Sequence, residues 1–179
     1  MAASAEPART GTGPARTSTS RAPKSLIFLV SGGLLGALLV MFGVTLARVS
    51  GNSMAPSYHD GDVVVMLRPA LDSLAWRRTS YRVGDVVALR TPGTSGLALK
   101  RVVAVGPGTV AVRDGALLVD SVPSVVGSFP GYELHGDLAP VSLTAGELFV
   151  VGDNRRPLAS NDSRNFGPLP TEDVRGRVW

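Results

Sequence analysis

The sequence predicts a mainly β protein: an antiparallel β domain preceded by one transmembrane α-helix. Two observations carry this. Short β-branched runs, separated by Gly, Pro and Asp, recur across residues 49–179 with no helical period among them. Before them, Leu26 to Ala47 gives 22 residues without a charge. As a helix that segment would span about 33 Å, against a bilayer hydrocarbon core of about 30 Å.

Residues 1–24 are rich in Ala, Pro, Thr, Ser and Arg, with almost no large apolar residue, and are expected to form a disordered cytoplasmic tail. Residues 25–48 are the expected anchor. Arg9, Arg16, Arg21 and Lys24 precede the apolar segment against Glu6 alone, and Arg48 follows it. The positive-inside rule then leaves the N-terminus in the cytoplasm and the body outside. A cleaved secretory signal is the rival, but its apolar region would be shorter, about 7–15 residues, and Thr45-Leu46-Ala47 is a poor cleavage site. Gly32 and Gly36 form a Gly-x-x-x-Gly pair that could pack helices, although isolated glycines are common in such segments.

Residues 49–179 suffice for one core. The expected strands are Val63–Leu67, Val86–Leu89, Leu97–Val105, Val110–Arg113, Leu117–Val119 and Leu148–Val151, with a hairpin turn at Asp114-Gly115. Gly61-Asp62 and Gly84-Asp85 each launch a strand, which a turn explains more simply than a repeat. Residues 121–146 show no clear period and are expected to be a loop or small excursion.

Charge excludes one class of partner. The chain carries a net +4, all of it flanking the apolar segment, while Val49–Trp179 balances 13 bases with 13 acids. The body has no basic excess to follow a phosphate backbone, so no nucleic-acid partner is expected. Without cysteine, and with His59 and His135 as the only histidines, a metal site is not expected either.

Three segments could carry chemistry. Ser50-Gly51-Asn52-Ser53-Met54-Ala55-Pro56 follows the apolar segment, with Pro56 rigidifying the turn after Ser53. Alone, Ser53 would be an ordinary turn residue. Lys100, in Leu97–Val105, is the only lysine outside the tail of a chain whose other body cations are all Arg. A buried lysine can lose its proton and act as a base, which Arg does not. A neutral amine beside a hydroxyl can replace a histidine-based triad. A lysine snorkelling from a strand edge is the simpler account of Lys100 alone. The third segment, Gly152–Arg155 with Ser160–Gly167, is dense in small polar and ionic groups behind an apolar strand. It suits either a polar network behind a site or a solvated loop.

Together these segments resemble the bacterial type I signal peptidases, membrane-bound Ser-Lys endopeptidases. Ser53-Met54-x-Pro56 resembles the nucleophile motif, followed by His59-Asp60-Gly61-Asp62-Val63-Val64. Gly84-Asp85-Val86-Val87 resembles the second strand motif and Lys100-Arg101-Val102-Val103 the general-base motif. Gly152-Asp153-Asn154-Arg155 and Ser160-x-Asp162-Ser163-Arg164-x-Phe166-Gly167 resemble the last. The order agrees over residues 25–179.

The resemblance implies a fold of signal-peptidase type, with Ser53 as nucleophile and Lys100 as general base. Ser160 would orient the lysine, and Asp162 with Arg164 would form a supporting ion pair. Arg101, Asp153, Asn154 and Arg155 would be scaffold. Gly51 and the Ser53 N–H would flank the oxyanion. Asn52 and Met54 on one side, and Leu97, Ala98 and Leu99 on the other, would contact substrate. Gly51 stands where some members have a serine, and four residues separate Arg155 from Ser160 where two are common. The implied partners are secretory preproteins and a lipid bilayer, with no cofactor and cleavage after small-x-small sites. A maturation peptidase with one dedicated substrate, or an inactive membrane-tethered module, are the alternatives. A cytosolic Ser-Lys autoprotease is disfavoured by the apolar segment.

Overall fold

The computed structural model describes residues 24–69, 81–93 and 96–179. The expected tail lies outside these residues except for Lys24. The chain divides into two compact units, one ending at Leu35 and the other running Gly36–Trp179.

Helix α1 runs Lys24–Phe42 and stops at Gly43, which adopts φ 147. Only glycine takes such a conformation without strain. The 22-residue span Leu26–Ala47 is therefore not one helix. Its last residues form strand β1 (Val44–Arg48), which pairs antiparallel with β2 (Val63–Leu67), Val44 opposite Leu67 and Arg48 opposite Val63. Apolar content alone could not separate helix from strand here; the β-branched Val44 and Thr45 after a glycine carry the strand signal. Among the described residues no helix is long and apolar enough to cross a membrane. The 19 residues of α1 rise about 28 Å.

The remaining strands are β3 (Val86–Arg90), β4 (Leu97–Val105), β5 (Gly108–Arg113), β6 (Ala116–Val119), β7 (Val122–Pro123), β8 (Leu138–Leu143) and β9 (Glu147–Val151). A one-turn helix α2 (Ser163–Phe166), β10 (Leu169–Pro170) and β11 (Val174–Val178) follow. They build two antiparallel sheets, one ordered β1-β2-β11-β3-β4-β9-β10 and one ordered β7-β6-β5-β8. All six expected strands are present within two residues of their expected ends. Residues 121–146, expected as a loop or excursion, also supply β7 and β8.

Strand β4 is buried on both faces. Val102 packs with Val87, Leu89, Leu148 and Val150, while Val103 packs with Val110, Val112, Leu117 and Phe149. A third cluster joins Met54 to Val49, Val64, Val86 and Val178. Met54 is 1 % exposed, so the residue after Ser53 pins the β1–β2 connection to the core. Burial of such a side chain contributes about 1.5–3 kcal/mol.

Candidate active site

The 49–62 connection between β1 and β2 carries Ser53 and is closed on itself by hydrogen bonds. The Val49 N–H donates to the Asp62 carbonyl (2.8 Å), the Gly61 N–H to the Val49 carbonyl (3.0 Å) and the Gly51 N–H to Asp60 Oδ1 (2.8 Å). Gly51 sits at φ 83, where a serine would be strained, so glycine suits the turn that presents Ser53.

Lys100 projects from β4 to this loop, and its Nζ donates to Ser53 Oγ at 3.1 Å. The lysine is 3 % exposed. Burial pushes it below the ordinary lysine value. The nearby Asp162 carboxylate pulls it part of the way back, and Arg164 adds to the lowering. Loss of hydration around a charged amine dominates and shifts the balance towards the neutral form, which can accept a proton.

Two ion pairs fix the surroundings. Arg101, next to the lysine, donates through Nε (2.7 Å) and Nη2 (2.6 Å) to the two oxygens of Asp153. Its Nη1 also donates to the Gly84 carbonyl (2.8 Å), and its Nη2 to Ser57 Oγ (3.3 Å). Arg101 thus ties β4, the strand after Gly84, the serine loop and the segment after β9 to one planar fork. Asp162, fully buried, accepts Arg164 Nε and Nη2 at 2.8 Å each and the Gly152 N–H at 3.0 Å. It also caps α2.

Asn154 holds the Ser53 loop from behind: its N–H donates to the Ser53 carbonyl and its Nδ2 to the Asn52 carbonyl, both at 3.0 Å. Nothing in the order of the residues distinguishes this task from general scaffolding. Arg155 donates through Nη2 to the Val126 carbonyl, and Arg164 Nη1 to the Arg155 carbonyl (3.1 Å). Ser57, Gly84 and Gly152 are contributors that the site residues drawn from the sequence do not include. The four-residue spacer Arg156–Ala159 turns outward, with Leu158 fully exposed and Arg156 donating to the Gly131 carbonyl, so the residues on either side keep their places.

Ser160 is buried, but no hydrogen bond joins it to Lys100, and its Oγ has no partner among the described residues. The expected lysine-orienting bond is not made. Ser160 Oγ lies instead against Gly152: a Cβ at Gly152 would stand 2.4 Å from Ser160 Oγ and 2.4 Å from the Ser53 carbonyl. Gly152→Ala is therefore expected to displace the Ser53 loop. It should cost about 1–3 kcal/mol of stability in urea melts, as overpacking does, and should remove most activity.

Of the expected substrate contacts, Asn52 and Leu97 are exposed and Ala98 and Leu99 half-buried, whereas Met54 is packed into the core and is not open to a substrate. Strand β4 pairs with β3 along Leu97–Arg101, whereas its pairing with β9 begins only at Arg101 opposite Val151. The edge Leu97–Lys100 is open on the side of the Ser53 loop, where β9 has turned away. Such an edge can accept an extended peptide as an added strand, with side-chain pockets setting specificity. The arrangement brings together a hydroxyl, a buried amine and an open strand edge, the first two in hydrogen-bond contact across 47 positions of chain.

A family model described as "Signal peptidase, peptidase S26" matches residues 23–179. Thylakoidal processing peptidase 1, chloroplastic, of Arabidopsis thaliana is 39 % identical over 77 residues, covering 43 % of this chain and 22 % of that protein. Probable thylakoidal processing peptidase 2, chloroplastic, of the same plant is 38 % identical over 77 residues, covering 43 % of this chain and 20 % of that protein. The chain thus matches about a fifth of the length of these curated relatives. A crystal structure of a signal peptidase I from Enterococcus faecalis V583 superposes with a TM-score of 0.45 at 24 % identity, covering 54 % of this chain and 95 % of that one.

Proposed function

From the premise that the chain belongs to the signal peptidase family, peptidase S26, and is thus a serine peptidase, we propose that it is a membrane-anchored Ser-Lys endopeptidase. It removes signal peptides from secreted preproteins after small-x-small sites. The observation that carries this is the 3.1 Å contact between Lys100 Nζ and Ser53 Oγ, made by a lysine that burial biases towards its neutral form.

The preprotein lies along Leu97–Leu99 as an added strand, with its scissile carbonyl at Ser53. Neutral Lys100 takes the Ser53 proton as Oγ bonds to the carbonyl carbon. The Ser53 N–H, which has no acceptor among the described residues, donates to the oxyanion. One such donor is worth about 10²–10³ in rate. The C–N bond then breaks as the Lys100 ammonium returns its proton to the leaving amine. Water attacks the ester as its proton passes to Lys100, and the Lys100 ammonium gives that proton to Ser53 Oγ as the ester C–O bond breaks, which frees the peptide acid and restores the hydroxyl and the neutral amine.

Anchoring falls to α1, from which Phe28, Leu29, Leu34, Leu35 and Met41 project exposed apolar side chains. Its shorter length is accommodated by local bilayer thinning. The basic flank places the N-terminus in the cytoplasm and the catalytic domain outside. The test is cleavage of a preprotein bearing Ala-x-Ala by the detergent-solubilised chain, with the cut mapped by mass spectrometry. Cleavage after the second Ala is expected, and should be lost when that Ala becomes Phe. Unchanged cleavage of the Phe substrate would refute the small-residue requirement.

A further inference from the structure

We propose that a cleft at the α1 end of the larger sheet, lined by Arg68, Arg90 and Arg175, binds the phosphate of an anionic phospholipid headgroup. The cleft holds about 490 Å³, and Met66, Leu97 and Val174 give it apolar walls.

Strand register places the three arginines together. β1 begins at Val44 opposite Leu67, so Arg68 follows the end of β2 beside the foot of α1, and its N–H donates to the Gly43 carbonyl (2.8 Å). β11 runs antiparallel to β2 with Arg177 opposite Leu67, which brings Arg175 to the same end. β3 pairs Leu89 with Val174 and Arg90 with Leu97. Three strands thus deliver three guanidinium groups to the end of the sheet where the chain leaves the apolar helix.

Among the described residues no carboxylate lines the cleft. The side chains of Arg68 and Arg90 make no hydrogen bond or ion pair among the described residues. Arg175 Nη1 donates to the Glu172 carbonyl (3.0 Å), but its Nε is buried with no partner among the described residues. Three cations gathered with no anion among the described lining residues repel one another, and a buried N–H without an acceptor carries a desolvation cost. A phosphate answers both, because guanidinium forks match its oxygens in pairs. The apolar walls and the neighbouring helix end favour a phosphate that carries acyl chains over a free one. Leu97 joins this cleft to the substrate edge: Lys100 lies three residues along β4, about 10 Å away at the usual strand rise. A lipid held here would fix the height of the open edge above the bilayer.

The inference rests on the reading of α1 as a membrane anchor, and the test separates the two. The full chain in mild detergent is mixed with equimolar phosphatidylglycerol and phosphatidylcholine, and the retained lipid is counted by mass spectrometry, without substrate. Wild type is expected to retain phosphatidylglycerol preferentially. Arg68→Gln/Arg90→Gln/Arg175→Gln should lose that preference, by roughly fivefold for each guanidinium removed. The matching triple Lys variant should keep most of it, which guards against a folding defect. Equal retention of the two lipids by wild type, or an unchanged preference in the Gln triple variant, would overturn the proposal. Displacement of the lipid by inorganic phosphate would assign the cleft to a free anion, and displacement by a Glu-rich peptide would assign it to protein; either result overturns the lipid assignment. Flotation with neutral phosphatidylcholine vesicles, which does not call on the arginines, tests the anchor separately.

Discussion

Ser53→Ala is expected to reduce preprotein cleavage by roughly 10⁶-fold, the scale on which a serine peptidase responds to loss of its nucleophile. Among the described residues the only hydrogen bond to Ser53 Oγ comes from Lys100. The loop is held by other groups: Met54 in the core, the Asn154 bonds to the Ser53 and Asn52 carbonyls, and the closure at Val49 and Gly61. The variant should therefore melt within a few degrees of wild type and still bind preprotein. A stable, binding-competent, inactive protein is the signature of a lost nucleophile, whereas a destabilised one would signal a structural serine. Thermal melts and a pull-down with uncleaved preprotein read the difference.

Lys100→Met is expected to lose about 10⁴-fold or more, the upper range for a general base. Methionine keeps the length and apolar stem while removing the amine, so the fold should survive. Lys100→Arg should be equally inactive at every accessible pH, because guanidinium does not give up its proton. The wild-type pH profile follows from the same burial. Below the native value of Lys100 the amine is protonated, and the rate should fall tenfold per pH unit. As pH rises through that value the neutral fraction saturates and the rate levels off, at a lower pH than the ordinary lysine value of about 10.4 would allow. The stability sign runs the same way. Between the native and unfolded values the unfolded chain binds a proton that native Lys100 does not, so this group's contribution to stability rises with pH there. Lys100→Met should flatten both dependences.

The β domain was legible because its strands are short β-branched runs bounded by Gly-Asp and Asp-Gly turns, which is how local chemistry marks a strand. Five strands escaped: the two-residue β7 and β10 are too short to leave a pattern, and the other three escaped for separate physical reasons. β1 is as apolar as the helix before it, and only the backbone turn at Gly43 divides them. β8 (Leu138–Leu143) contains Pro140 and lies at the edge of the smaller sheet, where a missing N–H costs nothing. β11 (Val174–Val178) carries Arg175, Gly176 and Arg177 between its valines. Arg177 is nevertheless buried and pairs with Asp85 at 3.2 Å, a long-range contact that local composition does not reveal.

The site divides in a similar way. Ser53, Lys100 and the two ion pairs lie in motifs whose residue types imply their chemistry, and the fold brings all of them together. Packing decides the others. Asn154 reaches 102 positions back to the Asn52 carbonyl, and Gly152 is needed because Ser160 and the Ser53 backbone both press on its missing Cβ. The longer spacer before Ser160 is absorbed by a turn into solvent. Ser160 nevertheless makes no bond to the lysine, which spacing alone does not foretell.

The most direct test of the Ser53–Lys100 assignment is acid-quenched single turnover of the solubilised chain with a preprotein, followed by mass spectrometry of its fragments. The account predicts a transient adduct with the mass of the signal peptide, as an ester on Ser53. Its rate of formation should rise with pH to a plateau, and it should be absent from Lys100→Met. Cleavage without an adduct, or an adduct on any other residue, would contradict it.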